Sequence, residues 1–355
     1  MNSVLNNFKN YPLSKLKAWA DFENSIKLDW NESDESIPQE IIDKSITELR
    51  TYNLNWYPPI LNLELEQALS SYVKLESKYI RYGCSSDVIH EYLCLALINP
   101  NDKVLILNPT YDNFRKTAEL NRAQICYFDL DKNFELNEDK FIHKISSMCP
   151  SIVYIVNPNN PTGSTVDSNF IERIVQIFPN TYFIIDEAYF EFYGFSSFKL
   201  VTQFDNIIIT RSLSKAFGAA SIRFGYTIAS EKIISNLDKV INPKNIPLFT
   251  QIMAKNIFLN YKYIQQRIIK MNENKQKLIQ IFDKKSIQYL NSSANFLFVK
   301  CNSEDHKLQI INALENEKIY VRNYSHLEST LLYFRITIGS SEKFIKVLNF
   351  FENNF

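Results

Sequence analysis

Five short runs of apolar, β-type residues recur through the middle of this chain: Val104–Leu107, Ile125–Phe128, Ile152–Val156, Tyr182–Ile185 and Ile207–Ile209. Segments of helical period such as Phe170–Phe178 separate them. A strand that never alternates with polar residues has both faces covered, and such strands alternating with helices build a mostly parallel sheet between two helical layers. Ahead of them, Leu61, Leu65, Leu69, Tyr72 and Val73 form one stripe of an amphipathic helix. A helical run at Val88–Ile98 follows Gly83.

After about Asn242 the pattern changes. Pro243 and Pro247 interrupt the chain, one long helical-period stretch runs from Leu248 to about Asp283, and strand-like runs follow at Phe296–Val299, Ile319–Arg322 and Leu332–Thr337. A closing helix is expected near Glu342–Phe351. The 355 residues therefore read as a large α/β domain over 45–242 and a smaller α+β domain over 243–355, completed by an N-terminal arm, 1–44.

Lys+Arg and Asp+Glu number 39 each, so no overall field favours nucleic acid or an acidic membrane, and the expected partner is a small molecule. The five cysteines are odd in number and never at C-x-x-C spacing, which argues against a disulfide framework and a zinc site and fits a reducing compartment. Met1–Asn10 has no apolar signal-like core, and no apolar run reaches the ~20 residues of a membrane span. The expectation is a cytoplasmic protein without a bound metal.

Only six glycines occur, and five of them (Gly83, Gly163, Gly218, Gly225 and Gly339) lie in segments that carry candidate chemistry. Directly after the run Ile152–Val156 comes N-P-N-N-P-T-G, in which Pro161 and Gly163 can hold Asn160 rigidly where ligands of open α/β sheets sit; the same residues also suit a plain turn. Asp186-Glu187-Ala188-Tyr189 ends the next run, with Asp186 either a helix cap or a buried carboxylate that needs a cation. The run Ile207–Ile209 leads into T-R-S-L-S-K-A-F-G-A-A-S-I-R-F-G-Y, where Lys215 is flanked by Ser212 and Ser214 and followed by Arg223. Thus three successive strands end in Asn160, Asp186 and Lys215, spaced 26 and 29 residues apart. A lysine beside an anion site is placed to be a Schiff-base nucleophile.

With W-Y-P near residue 57, G-C-S-S at 83, N-P-T-Y at 108, N-P-N-N-P-T-G at 157, D-E-A-Y at 186, S-L-S-K…R at 212–223 and R-I-T-I-G at 335, the chain resembles the fold-type I pyridoxal-phosphate enzymes of the class I/II aminotransferase family, and most of all the histidinol-phosphate aminotransferase group. The resemblance implies an aspartate aminotransferase-like fold with a seven-stranded sheet. It implies that Lys215 binds pyridoxal 5′-phosphate and works as general acid and base, that Asp186 pairs with the pyridine nitrogen, and that Asn160 and Tyr189 hydrogen-bond the phenolic oxygen. Tyr111 would stack on the ring. Ser212, Ser214, Arg223 and the backbone at Cys84, Ser85 and Ser86 would hold the phosphate, and Tyr57 would reach the cofactor of a partner subunit in a homodimer. Relatives often carry an acid where Ser85 and Ser86 stand, and glycine where Ser221 stands.

By the same resemblance Arg335 would clamp a substrate carboxylate and Asn31 would lie near the substrate, while Arg322 and Tyr11 would bind a distal phosphate or serve as ordinary surface residues. The implied reaction moves an amino group between a carboxylate donor such as glutamate and a small phosphorylated or anionic keto partner. An O-phospho amino acid decarboxylase shares the same cofactor motifs and is the alternative. A cofactor-binding regulator would need an attached DNA-binding domain for which no residues are spare, and no G-x-G-x-x-G follows any strand as a nicotinamide enzyme would require.

Overall fold

The computed structural model of the chain describes residues 18, 21, 23–325 and 327–354. The first strand, β1 (Ile26–Leu28), precedes seven that form one sheet: β2 (Ile80–Gly83), β3 (Lys103–Asn108), β4 (Gln124–Asp129), β5 (Ile152–Val156), β6 (Tyr182–Asp186), β7 (Ile207–Ser212) and β8 (Gly225–Ala229). Their order is β2-β8-β7-β6-β5-β3-β4. Every pairing from β7 to β4 is parallel, and β8 runs antiparallel to both β7 and β2.

The apolar runs fall into this sheet because each residue, whichever way it points, meets a helix. Leu105, Leu107, Val153, Ile155, Phe183, Ile185, Ile207 and Ile209 pack on one side with Leu65, Phe141, Ile171, Met253 and Ile257 from helices Leu63–Val73, Glu138–Met148, Ser168–Ile177 and Leu248–Leu259. Val104, Ile106, Ile152, Tyr154, Ile184 and Ile208 pack on the other with Ile89, Leu93, Phe114 and Ile234 from helices Ser85–Leu97, Asn113–Leu120 and Glu231–Leu237. The period of two is hidden in the composition and appears only in the two faces.

The second sheet has five strands in the order β1-β11-β12-β10-β9, with β9 (Gln288–Leu290), β10 (Phe296–Lys300), β11 (Ile319–Asn323) and β12 (Tyr333–Thr337). β1 pairs in parallel with β11, so the N-terminal part of the chain completes this sheet. Leu297, Val299, Phe334 and Ile336 face a core supplied by helices Tyr263–Lys284, Glu304–Asn316 and Ile345–Asn354. Phe296, Phe298, Arg335 and Thr337 alternate with them and therefore occupy the opposite face.

The expected single helix from Leu248 to Asp283 is two, Leu248–Leu259 and Tyr263–Lys284, separated at Asn260–Lys262. The first is buried on nearly all sides against helices Gln39–Leu49 and Leu63–Val73, whereas the second is amphipathic along the small sheet. Two different burial environments in one apolar stretch are what the sequence period could not separate. The closing helix begins as a 3-10 turn, Glu342–Phe344, and continues as Ile345–Asn354.

Candidate active site

Because β5, β6 and β7 are parallel, their C-terminal ends lie on one edge, and the segments carrying Asn160, Asp186 and Lys215 leave the sheet there together. Antiparallel β8 begins where β7 and β2 end: Gly225 pairs with Ser212 on one side and Gly83 on the other. The N-terminus of helix Ser85–Leu97, the hydroxyls of Ser212 and Ser214, and Arg223 thus converge by topology. Gly225 is required at that point, since a Cβ there would stand 2.3 Å from the Ser86 amide nitrogen.

The result is a candidate anion cup. The first amides of helix Ser85–Leu97 have no side-chain cap, and Ser85, at φ 82°, keeps a buried hydroxyl without a partner. Such unspent donors at a helix N-terminus favour a negative group. Ser212 donates to Ser214 Oγ at 2.8 Å, and the Ser214 amide donates to Ser212 Oγ at 3.1 Å. Arg223 is exposed in the left-handed region at φ 55°, with its guanidinium 3.6 Å from Asp87. Asp87 also accepts from the Tyr111 hydroxyl at 3.2 Å, and Asn113 donates to that hydroxyl at 2.7 Å.

Asp186 shares the sheet face of Tyr154 and Thr210. It is 3% exposed and accepts from the Tyr154 hydroxyl at 2.7 Å and the Ala188 amide at 3.1 Å. Burial raises its pKa, with His90, whose Nε2 lies 3.9 Å away, pulling it back down. His90 Nε2 is 2.9 Å from the Thr210 hydroxyl. The carboxylate does not cap a helix: the short helix Phe190–Tyr193 starts after Tyr189. No lysine or arginine touches this buried carboxyl among the described residues, and His90 is the basic group beside it.

Lys215 donates to the Trp30 carbonyl at 2.8 Å. The residue is partly exposed, yet its amine lies among buried groups, and burial together with the Arg335 charge lowers its pKa to about 8. Tyr189 lies beside it, with its ring centroid 6.0 Å from the amine. Asn31 donates to the Tyr189 hydroxyl at 2.9 Å, and burial pushes that phenol up to about 12.

Arg335 reaches this site from the small sheet. It is 4% exposed and donates through Nη1 to Asn160 Oδ1 at 2.5 Å and to the Tyr324 hydroxyl at 3.0 Å, and through Nη2 to the Asp29 carbonyl at 2.6 Å. Its Nε is buried without a partner. Arg322 stands directly opposite Arg335 in the antiparallel β11–β12 pair, so both guanidinium groups project from one face. The Asn160 loop is held by Asn157, which exchanges hydrogen bonds with Val166 at 2.9 and 3.0 Å, and by Asn159, which donates to the Pro109 carbonyl at 3.0 Å.

A cluster of contacts at this edge of the large sheet joins Arg335 to Asn160, Asn31 and Lys215 to Tyr189, and Asp87 to Tyr111 and Arg223, with Arg322 opposite Arg335. Tyr57 is apart from it, 77% exposed with the Lys244 amine over its ring at 4.3 Å. Tyr11 lies outside the described residues. Sequence reasoning missed Asp87, His90, Tyr154 and Tyr324. Tyr154 and His90 lie inside apolar elements, where only face and register reveal them.

The profile of the family described as Aminotransferase class I and II matches residues 23–350. A dihydroxyacetone phosphate transaminase of Campylobacter jejuni is 35% identical over 330 residues, covering 91% of this chain and 89% of that protein. A histidinol-phosphate aminotransferase of Thermoanaerobacter sp. is 33% identical over 337 residues, covering 94% and 93%. The crystal structure of histidinol-phosphate aminotransferase from Sinorhizobium meliloti in complex with pyridoxal-5′-phosphate superposes with a TM-score of 0.87 over 98% of this chain and 95% of that one, a likeness of fold at 17% identity.

Proposed function

Since the chain belongs to the class I and II aminotransferases and is a pyridoxal-phosphate-dependent enzyme, we propose that it moves an amino group between a carboxylate donor such as glutamate and a small phosphorylated keto acceptor. The observation that carries the substrate class is the cross-strand pair Arg322 and Arg335. Two cations directly opposed on one face repel, and anionic ligand groups relieve that repulsion. Both relatives described above bear names of phosphorylated substrates, which agrees with this reading.

The residues present fit the cofactor. A buried amine at Lys215, a buried carboxyl at Asp186 with no lysine or arginine beside it, and the uncapped helix N-terminus with the orphaned Ser85 hydroxyl match an aldehyde, a pyridine nitrogen and a phosphate in turn. Pyridoxal phosphate supplies the electron sink for a carbanion at the substrate α-carbon. Lys215 supplies the amine that binds it and then holds and moves the α-proton, for which a pKa of about 8 is well matched. Asp186, whose carboxyl accepts from Tyr154 and the Ala188 amide, would pair with the pyridine nitrogen and favour a proton on it. Ser212, Ser214, Arg223 and the amides at Cys84, Ser85 and Ser86 bind the phosphate, with Asp87 holding Arg223 in place. Tyr111 would hold the ring, and Asn160 and Tyr189 would hydrogen-bond its phenolic oxygen. Arg335 orients the substrate carboxylate, Asn31 fixes Tyr189, and Arg322 takes the distal phosphate, a role for which Tyr11 is the second candidate.

On the same reading the active unit is a homodimer in which Tyr57 completes the partner's site, and the enzyme works in the cytoplasm. No helix among the described residues is long and apolar enough to cross a membrane. The division into domains at 45–242 and at 1–44 plus 243–355 is part of this proposal, with helix Leu248–Leu259 packed on the large-sheet core.

The test is a half-reaction with glutamate. The holoenzyme should convert it stoichiometrically to 2-oxoglutarate, and the aminated enzyme should then pass the group to dihydroxyacetone phosphate or imidazole acetol phosphate. Release of CO₂ from O-phosphothreonine or O-phosphoserine, with no oxo acid formed from glutamate, would establish the decarboxylase in its place.

A further inference from the structure

Helix Tyr263–Lys284 buries Ile264, Met271, Leu278 and Phe282, and Lys275 is buried with them, where the helical period calls for an apolar residue. No carboxylate pairs with Lys275 among the described ion pairs. Its amine donates instead to the backbone carbonyls of Ser292 and, at 3.1 Å, of Ala294. Burial lowers its pKa to about 8. Placing a lysine amine in a core is costly. What it holds there is the loop 291–295, which joins β9 to β10.

That loop is fastened in two directions. On one side the Ser293 amide donates to the Gly163 carbonyl at 2.9 Å, and the Gly163 amide closes the Asn160 turn by donating to the Asn159 carbonyl at 2.8 Å. The approach is close: a Cβ on Gly163, whose φ is 76°, would stand 2.7 Å from the Ser292 Cα. On the other side Asn295 donates to the Asn31 carbonyl at 3.1 Å, and Asn31 donates to the Tyr189 hydroxyl at 2.9 Å. Ala294 and Phe296 pack with Tyr189, the Phe296 ring edge-on to it at 5.3 Å. The loop therefore ties both the Asn160 turn and Tyr189 to the small sheet.

The same contacts orient the two side chains as donors. Asn160 Oδ1 accepts from Arg335, which leaves its amide N–H groups to give, and the Tyr189 hydroxyl accepts from Asn31, which leaves its proton to give.

We propose that Lys275 is a positioning residue for the cofactor's phenolic oxygen: by holding the carbonyls of Ser292 and Ala294 it sets where Asn160 and Tyr189 stand relative to one another. The inference rests on the reading of those two residues as the donors to that oxygen. Donors favour the state in which the oxygen carries more negative charge, which is the deprotonated state of the bound cofactor. The pH midpoint of the holoenzyme's visible absorbance therefore registers how well they are placed, and it rises when they are displaced.

The experiment is a spectrophotometric pH titration of the holoenzyme in wild type, Lys275→Met, Leu278→Ala and Tyr189→Phe. Lys275→Met should raise the midpoint by about one pH unit, the scale of one hydrogen bond to a charged group, and Tyr189→Phe by at least as much. Leu278→Ala opens a cavity under the same helix without touching the loop, so it should lower the thermal midpoint and leave the absorbance midpoint within about 0.2 units of wild type. Amide exchange over 291–295, read by mass spectrometry, should quicken in Lys275→Met and keep its wild-type rate in Leu278→Ala. If Lys275→Met is insoluble, Lys275→Gln is read in the same way.

An unshifted midpoint or unchanged loop exchange in the Lys275 variant overturns its role, and so does an equal shift in Leu278→Ala, which would make the effect one of stability alone. An unshifted midpoint in Tyr189→Phe removes the reading of the phenolic-oxygen donors, and this proposal with it.

Discussion

Lys215 shows how a single side chain acquires its chemistry from its surroundings. An ordinary lysine is about one part in a thousand neutral near pH 7.5, whereas one with a pKa near 8 is about a quarter neutral. Burial does most of this, and the positive charge of Arg335 adds to it. Both disfavour the ammonium, so the neutral amine gains as pH rises through the folded-state value. Reconstitution of the apoprotein with pyridoxal phosphate should therefore accelerate from pH 6.5 to about pH 8.5 and then level off, as followed by stopped-flow absorbance. An acceleration that continues unabated toward pH 10.5 would mean that the amine is not desolvated. Asp186 is the counterpart: burial raises its pKa, and His90, Tyr154 and the Ala188 amide oppose that. Lys215, Asp186 and Asn160 were legible in the sequence because each follows an apolar run. Tyr154 was not, since a tyrosine inside I-V-Y-I-V reads as core until the register places it beside Asp186.

At the scale of elements, the wholly apolar strands could be read directly, because parallel strands covered on both faces have no polar positions to confuse the pattern. The remaining elements were harder for stated reasons. β1 and β9 have three residues each, and β2 is I-R-Y-G, too short and mixed to show a period. β8 is apolar enough, but nothing in its composition reveals that it inserts antiparallel between β2 and β7 and so closes the anion cup. The segment from Leu54 to Leu63 is unusual in the opposite sense. Leu54, Trp56, Ile60 and Leu61 are 69%, 72%, 63% and 60% exposed, a patch that a second copy of the chain would cover in the proposed homodimer. Sedimentation should give twice the chain mass, and Trp56→Glu with Ile60→Glu should shift the protein to monomer and weaken activity at least tenfold. A fully active wild-type monomer would contradict the shared site.

Taken as a whole, the molecule divides its labour between two sheets. The large one presents the amine, the carboxylate and the anion cup at one edge, and the small one brings Arg335, Arg322 and Tyr324 on the face away from its own helices. The two meet through Arg335 on Asn160, Lys215 on the Trp30 carbonyl, and Asn31 on Tyr189. On the proposed function neither half holds a complete site, and the motifs, scattered from residue 31 to residue 335, became informative only as an ordered set. The central claim is that Lys215 is the residue that binds pyridoxal phosphate at this junction. Borohydride reduction of the holoenzyme followed by peptide mapping tests it most directly. A phosphopyridoxyl group on Lys215 and on no other lysine, absent in Lys215→Ala, is the predicted result. An unmodified Lys215, or the label on a different lysine such as Lys275 or Lys307, would contradict it.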